Sequence, residues 1–129
     1  MNKTDNEINA LTEQIIGCAF TVSNTLGCGF LEKVYENALA HELRKHNLKF
    51  EQQCSIPVYY DGVLVGDFVA DLVVEKTVIV ELKATKEHQD VFTAQCLNYL
   101  RATRLPICLL LNFGKPRVDV KRFRGEISQ

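Results

Sequence analysis

Asp71-Leu72-Val73-Val74-Glu75-Lys76-Thr77-Val78-Ile79-Val80-Glu81-Leu82-Lys83 reads as two extended runs joined by the polar pair Glu75-Lys76. Val, Ile and Leu dominate both arms, the composition of strands buried on at least one side. Side chains alternate along a strand, so Glu81 and Lys83 share a face that Leu82 does not. Two charges on a buried face need each other, a metal or solvent, because an unpaired buried charge is very costly. Acids converging from neighbouring strands, here Asp71 and Glu81, are what a hard cation such as Mg²⁺ requires. Such an ion takes oxygen ligands and keeps some of its waters.

The turn decides whether the two acids converge. Directly opposed residues of an antiparallel pair face the same side. If Glu75-Lys76 alone forms the turn, Asp71 opposes Val80, and Asp71 and Glu81 lie on opposite faces. A three-residue loop, or a bulge, is needed to set Asp71 against Glu81. An ordinary ion pair on a solvated strand fits the same spacing equally well at this point.

Outward from this hairpin, the pattern changes. Upstream, Ile56, Val58 and Tyr60 alternate, and Asp61-Gly62 is a hairpin turn signal before a run from Val63 to Val74. A third run covers Thr77 to Leu82. Further upstream, Ile8, Leu11, Ile15, Ala19, Val22 and Leu26 recur at helical spacing, predicting a helix over about 4–26 capped by Thr4 or Asp5. Gly27-Cys28-Gly29 interrupts it, and a second helix is expected from roughly Leu31 to His46. Downstream, Asp90 to Thr103 is helical in pattern. The apolar run Ile107 to Leu111 reads as a strand buried on both faces. A last alternating strand surrounds Val118 to Phe123. The expected fold is α/β, an α+β mixed sheet in the order α-α-β-β-β-α-β-β, forming one domain over residues 1–129.

Composition suits that size. The 129 residues are 47% hydrophobic and 24% charged, enough to bury a core without metal or disulfide staples. A net charge of −1 excludes a polybasic coat as a global description. No apolar run reaches the roughly 18 residues of a spanning helix, so no membrane is expected. The polar N-terminus has no signal-peptide core, and the cytoplasm is the expected location. Five dispersed cysteines, without a C-x-x-C pair, read mostly as reduced core thiols. His41, His46 and His88 read as surface positions. Gly27-Cys28-Gly29 lacks the preceding strand and third glycine of a dinucleotide fingerprint, and no phosphate-binding P-loop motif occurs.

Two further pairs bear on the hairpin acids. Glu32 and Glu36 lie four apart on the second helix with Tyr35 between them, a spacing equally expected of a solvated acidic first turn. Gln95 and Tyr99 share a face of the third helix.

Taken together, these residues resemble a known family. Gly29-Phe30-Leu31-Glu32-Lys33-Val34-Tyr35 looks like the signature of the GxxExxY family, which resembles the PD-(D/E)XK, or restriction-endonuclease-like, nucleases. Asp71, Glu81-Leu82-Lys83 and Gln95-Cys96-Leu97-Asn98-Tyr99 match that superfamily's D, E-x-K and Q-x-x-x-Y elements in order. Leu109 to Gly114 looks like the closing strand and loop, so the resemblance runs from about Ile15 to Phe123.

The resemblance implies a metal-dependent phosphodiesterase acting on nucleic acid, DNA ahead of RNA, in repair or processing. Asp71 and Glu81 would hold Mg²⁺ or Mn²⁺, with the Leu82 carbonyl and Glu32 as further ligands. Lys83 would orient or deprotonate water, or stabilise transition-state charge. Gln95 would orient water or phosphate, and Tyr99 would brace the site. Arg101, Arg104, Lys115, Arg117, Lys121, Arg122 and Arg124 against the single acid Asp119 make the C-terminal segment basic, suited to a phosphate backbone or to a solvated surface alike. The competing expectation is a catalytically silent module of the same fold that binds nucleic acid or a protein. A small oligomeric domain with surface ion pairs is the third. A homodimer stays open.

Overall fold

The computed structural model describes residues 3–87 and 90–125. Its elements are α1 (Asp5–Leu26), α2 (Glu32–Lys45), β1 (Phe50–Tyr60), β2 (Val63–Val74), β3 (Val78–Lys83), α3 (Asp90–Thr103), β4 (Ile107–Asn112) and β5 (Asp119–Arg124). The α-α-β-β-β-α-β-β order is the expected one. His88 lies outside the described residues.

The five strands form one mixed sheet in spatial order β1-β2-β3-β4-β5. Only β3 and β4 run parallel, as a strand–helix–strand crossover through α3 requires. On one face α1 and α2 pack Ile15, Ala19, Tyr35 and Leu39 against Leu72, Val78, Val80, Leu82, Leu109 and Leu111. On the other face α3 packs Cys96 and Leu100 against Ala70, Ile79, Cys108 and Leu110. Both faces of β3 and β4 are therefore covered, which accounts for their continuous apolar runs.

Local chemistry sets the helix ends. Thr4 caps α1 in a reciprocal box with Glu7, each side chain accepting the other's backbone N–H at 3.1 and 2.9 Å. Loss of such a cap costs about 1 kcal/mol. Gly29, at φ 112°, occupies a conformation that side chains disfavour, and it delivers the chain to the first turn of α2. Fully buried Tyr35 anchors that loop: its hydroxyl donates to the Gly27 carbonyl at 2.6 Å and accepts from Phe30 N–H at 3.2 Å.

Most boundaries fall within a residue of those expected, and two of the differences bear on the site. β1 begins at Phe50, six residues before Ile56. The added stretch Glu51-Gln52-Gln53 is polar: Glu51 is exposed, and Gln52 and Gln53 hydrogen-bond Glu36 of α2. Thr77, expected in β3, lies instead in the turn that precedes it. Cys18, Cys96 and Cys108 are buried as core thiols, Cys54 is half-buried, and Cys28 is exposed.

Candidate active site

The β2–β3 hairpin pairs Leu72 with Val80, Val73 with Ile79 and Val74 with Val78. Thr77 is the inserted residue. Its N–H donates to the Val74 carbonyl at 2.9 Å, closing a turn through Glu75 and Lys76, whose φ angles are 51° and 53°. Thr77 then takes no strand partner, and the register moves by one. Continued along the hairpin, this register sets Asp71 opposite Glu81, on the face that carries Ile79 and α3.

The ladder stops before that pair, and the two carboxylates take over the backbone bonding. Asp71 N–H donates to Glu81 Oε1 at 3.1 Å, and Leu82 N–H donates to Asp71 Oδ2 at 2.8 Å. Each acid thus holds the opposing strand where the strands part. The amide and carbonyl of a strand residue leave on the same side, so the Leu82 carbonyl also faces this opening. Glu81 is buried and Asp71 half-buried.

The electrostatics record the convergence. Burial, then the Asp71 carboxylate, push the Glu81 pKa up to about 8. Asp71 is raised by its own burial, offset in part by the Leu82 N–H, with Glu36 adding repulsion and Lys83 opposing it. Glu32, the first residue of α2, has an exposed side chain at the edge of this opening. Partial desolvation and the Asp71 charge raise its pKa too, and Lys83 counters them. Asp71, Glu81, Glu32 and Lys83 therefore share one field.

The third helix closes the site. Lys83 places Nζ 4.6 Å from the centre of the Phe92 ring. Tyr99 stacks on Phe68, ring centres 4.0 Å apart, and burial plus the Glu81 and Asp71 charges push its pKa up to about 12. Gln95 lies between Phe92 and Tyr99 on the same helical stripe, half-buried. Beyond Lys83, Asn112 ties the exit loop: it accepts from the N–H groups of Thr85 and Gly114 at 3.2 and 2.9 Å and donates to the Thr85 carbonyl at 2.9 Å.

Glu36 departs from its reading as a solvated acid. It is 3% exposed and held by Lys33 at 3.1 Å, Gln52 at 2.8 Å and Gln53 at 2.9 Å. Its burial comes from β1 crossing over α2, a long-range contact that helical spacing does not encode. Gln53 and Phe92 likewise gave no local signal.

The basic C-terminal residues do not form one surface. Arg122 and Arg124 pair in register with Leu109 and Ile107, on the face covered by α1 and α2. They bond Asn9 at 2.7 Å and Asp5 at 3.0 Å, while Arg117 lies 5.1 Å from the Phe20 ring of α1. Lys115 pairs with Asp119 at 3.7 Å. Arg101 bonds Asn98 on α3, and Arg104 is exposed just beyond that helix. Lys121 alone of the β5 cations shares a cavity lining with Lys83, together with Asn112 and Asp119.

The donor set suits a hard divalent cation. Two carboxylates and a backbone carbonyl face one opening, and Mg²⁺ is commonly held by one or two carboxylates with water and phosphate completing its shell. Among the described residues, no group of three or more His, Cys, Asp or Glu side chains is placed to hold a metal ion, so the protein would offer this cation two carboxylates and leave the rest of its shell to water and phosphate.

Comparison with known proteins gives three results. A family model described as the PD-(D/E)XK nuclease superfamily matches residues 9–123. The fold is similar to the crystal structure of SSO0001, with a TM-score of 0.51 and 13% identity over 74% of this chain and 50% of that one. It is also similar to an alkaline exonuclease (LHK-Exo) from Laribacter hongkongensis, with a TM-score of 0.54 and 14% identity over 98% of this chain and 73% of that one. This chain thus spans half the length of the SSO0001 chain. No curated protein matches the sequence. At these identities the two structures establish a shared fold.

Proposed function

The chain belongs to the PD-(D/E)XK nuclease superfamily, and from that premise we propose that it hydrolyses nucleic-acid phosphodiester bonds with a divalent cation, Mg²⁺ or Mn²⁺. Within the superfamily, the Gly29 to Tyr35 segment supports the GxxExxY family. The observation that carries the reading is the reciprocal clasp of Asp71 and Glu81 at the end of the β2–β3 ladder. Like charges gathered at a half-buried strand opening are unfavourable alone, and a cation relieves them.

In this reading Asp71, Glu81 and the Leu82 carbonyl would hold the cation, and Glu32 would assist from α2, directly or through water. The chemistry such a cation supplies is charge neutralisation at the scissile phosphate and acidification of a nearby water. Lys83, steadied by Phe92, stabilises phosphate charge or takes the proton of the attacking water. Gln95 would orient that water, and Tyr99, stacked on Phe68, would brace the site from α3. DNA is the favoured substrate. The described residues contain no helix long and apolar enough to cross a membrane, and the free thiols favour a reducing compartment such as the cytoplasm.

The test is cleavage of linear and circular DNA, single- and double-stranded, and of RNA, with Mg²⁺, Mn²⁺ or EDTA. Wild type is compared with Asp71→Asn and Lys83→Ala. Cleavage by wild type alone, abolished by EDTA, is the expected result. Cleavage that survives EDTA or both substitutions would sink the reading, and binding without cleavage would point to a catalytically silent module.

A further inference from the structure

Gln53 is a non-glycine residue in a left-handed conformation, φ 51°, inside β1. Its neighbours Gln52 and Cys54 pair with Leu72 and Ala70, which leaves Gln53 opposite Asp71 without a ladder partner. The ribbon changes faces at this step. Phe50, Leu72 and Val74 pack toward α1 and α2, whereas Cys54, Ile56, Phe68 and Ala70 pack toward α3. Even-numbered positions thus serve one face below the kink and the other above it. A regular strand cannot do this, since its side chains alternate strictly. A left-handed residue without a glycine's freedom is sparsely populated, and such strain is kept where the surroundings over-determine it.

Burial does not supply the reason, because Gln53 is exposed. The side chain does. Gln53 Nε2 donates to Glu36 Oε1 at 2.9 Å and, at a longer 3.4 Å, to Asp71 Oδ1. Glu36 is a fixed point, buried and gripped by Lys33 through both carboxylate oxygens at 3.1 Å and by Gln52 at 2.8 Å. The other Asp71 oxygen accepts from Leu82 N–H. A carboxamide nitrogen has two hydrogens and no charge. It can bond two carboxylates at once while leaving the negative charge of the site intact, which a lysine or arginine would cancel.

We propose that Gln53 is a positioning residue that ties Asp71 to the buried Glu36 and sets the carboxylate orientation used for cation binding. The proposal deepens the metal-nuclease reading and rests on it for the cation. The orientation of Asp71 can be followed without any metal, through the Leu82 amide that it accepts.

The test uses Gln53→Gly and Gln53→Asn. Glycine relieves the left-handed backbone and removes only the side chain. Asparagine tolerates that conformation but is one methylene shorter. Both variants are expected to melt no lower than about the wild-type temperature, because backbone strain is relieved or retained without a clash. In EDTA, amide exchange at Leu82 should be about 10-fold faster, with ladder amides such as Val80 unchanged. Mn²⁺ affinity by calorimetry should fall about 10-fold, as for other groups that orient a metal ligand. Wild-type Leu82 exchange in both variants would overturn the proposal and leave Gln53 a backbone kink alone. Unchanged Mn²⁺ affinity beside altered Leu82 exchange would overturn its role toward the cation. If wild type itself binds no Mn²⁺, the metal reading fails, while faster Leu82 exchange would still support the positioning of Asp71.

Discussion

Replacing Glu81 by Gln in the metal-free protein isolates what the acidic site costs the fold. The carboxamide oxygen can still accept the Asp71 N–H now bonded at 3.1 Å, so the clasp survives while the charge is removed. Burial and the Asp71 charge raise the Glu81 pKa from 4.5 to about 8. At about 1.4 kcal/mol per pH unit, that rise sets a ceiling of about 5 kcal/mol on the cost of ionising Glu81 in the folded chain. Asp71 is only half-buried, and water reaching the pair screens it, so roughly 2–3 kcal/mol is the expected share. The sign follows from proton binding. An acid with a raised pKa binds more protons folded than unfolded between the two values, so stability falls as pH rises from about 4.5 to about 8. Urea unfolding in EDTA should therefore show wild type and Glu81→Gln nearly equal at about pH 4.5. By about pH 8.5 the variant should be the more stable by roughly 2–3 kcal/mol. Mg²⁺ at about 1,000 times its Kd should reverse the order, since that excess adds about 4.1 kcal/mol to the state that binds it. An equal difference at both pH values, or a wild type that gains stability across this window in EDTA, would refute the reasoning.

Other perturbations probe the neighbouring groups. Lys83→Met keeps the aliphatic stem against Phe92 but removes the cation. Single-turnover cleavage should fall about 100-fold or more, while calorimetric Mg²⁺ affinity holds or tightens because a competing positive charge is gone. Gly114→Ala would drive a methyl group into the Thr85 backbone, in the loop that leaves Lys83. A loss of about 1–3 kcal/mol in chemical unfolding is expected, with cleavage impaired beyond the stability loss. For DNA binding by Asp71→Asn, the slope of log K against log salt should be about −2 to −3, as for two or three neutralised phosphates. A slope near −6 would mean that the whole basic C-terminal segment contacts the backbone.

The order of elements was legible because each carries its own period: helical spacing from Ile8 to Leu26, alternation around Val58, an unbroken apolar run at Ile107. The register of the central hairpin was not. Glu75 and Lys76 take left-handed φ angles of 51° and 53° without the Asn or Gly that normally announces them. Thr77, a good strand residue, is spent as the insertion. A choice of one residue there separates an active-site face from a solvated ion pair. Glu36 and Gln53 were illegible for a different reason. Their roles arise where β1 crosses α2, and nothing within a helical turn of either residue reports that contact. The basic residues from Arg101 to Arg124 are contiguous in sequence but divided in space. Strand alternation sends Arg122 and Arg124 to the α1 side and Lys121 to the side of Lys83.

The acids of the site also belong to the fold. Where the β2–β3 ladder ends, the Asp71 and Leu82 N–H groups lose strand partners, and the Glu81 and Asp71 carboxylates replace them. Leu82 is fully buried, so truncating Asp71 to alanine would strand its N–H at a cost of about 1–3 kcal/mol. An inactive Asp71→Ala protein could then reflect a loosened strand opening as readily as a lost ligand. Asparagine retains an acceptor oxygen at the same reach and removes the charge. A loss of cleavage in Asp71→Asn with unchanged unfolding therefore assigns the defect to the carboxylate's charge. The same loss with a lowered melting temperature assigns part of it to the clasp.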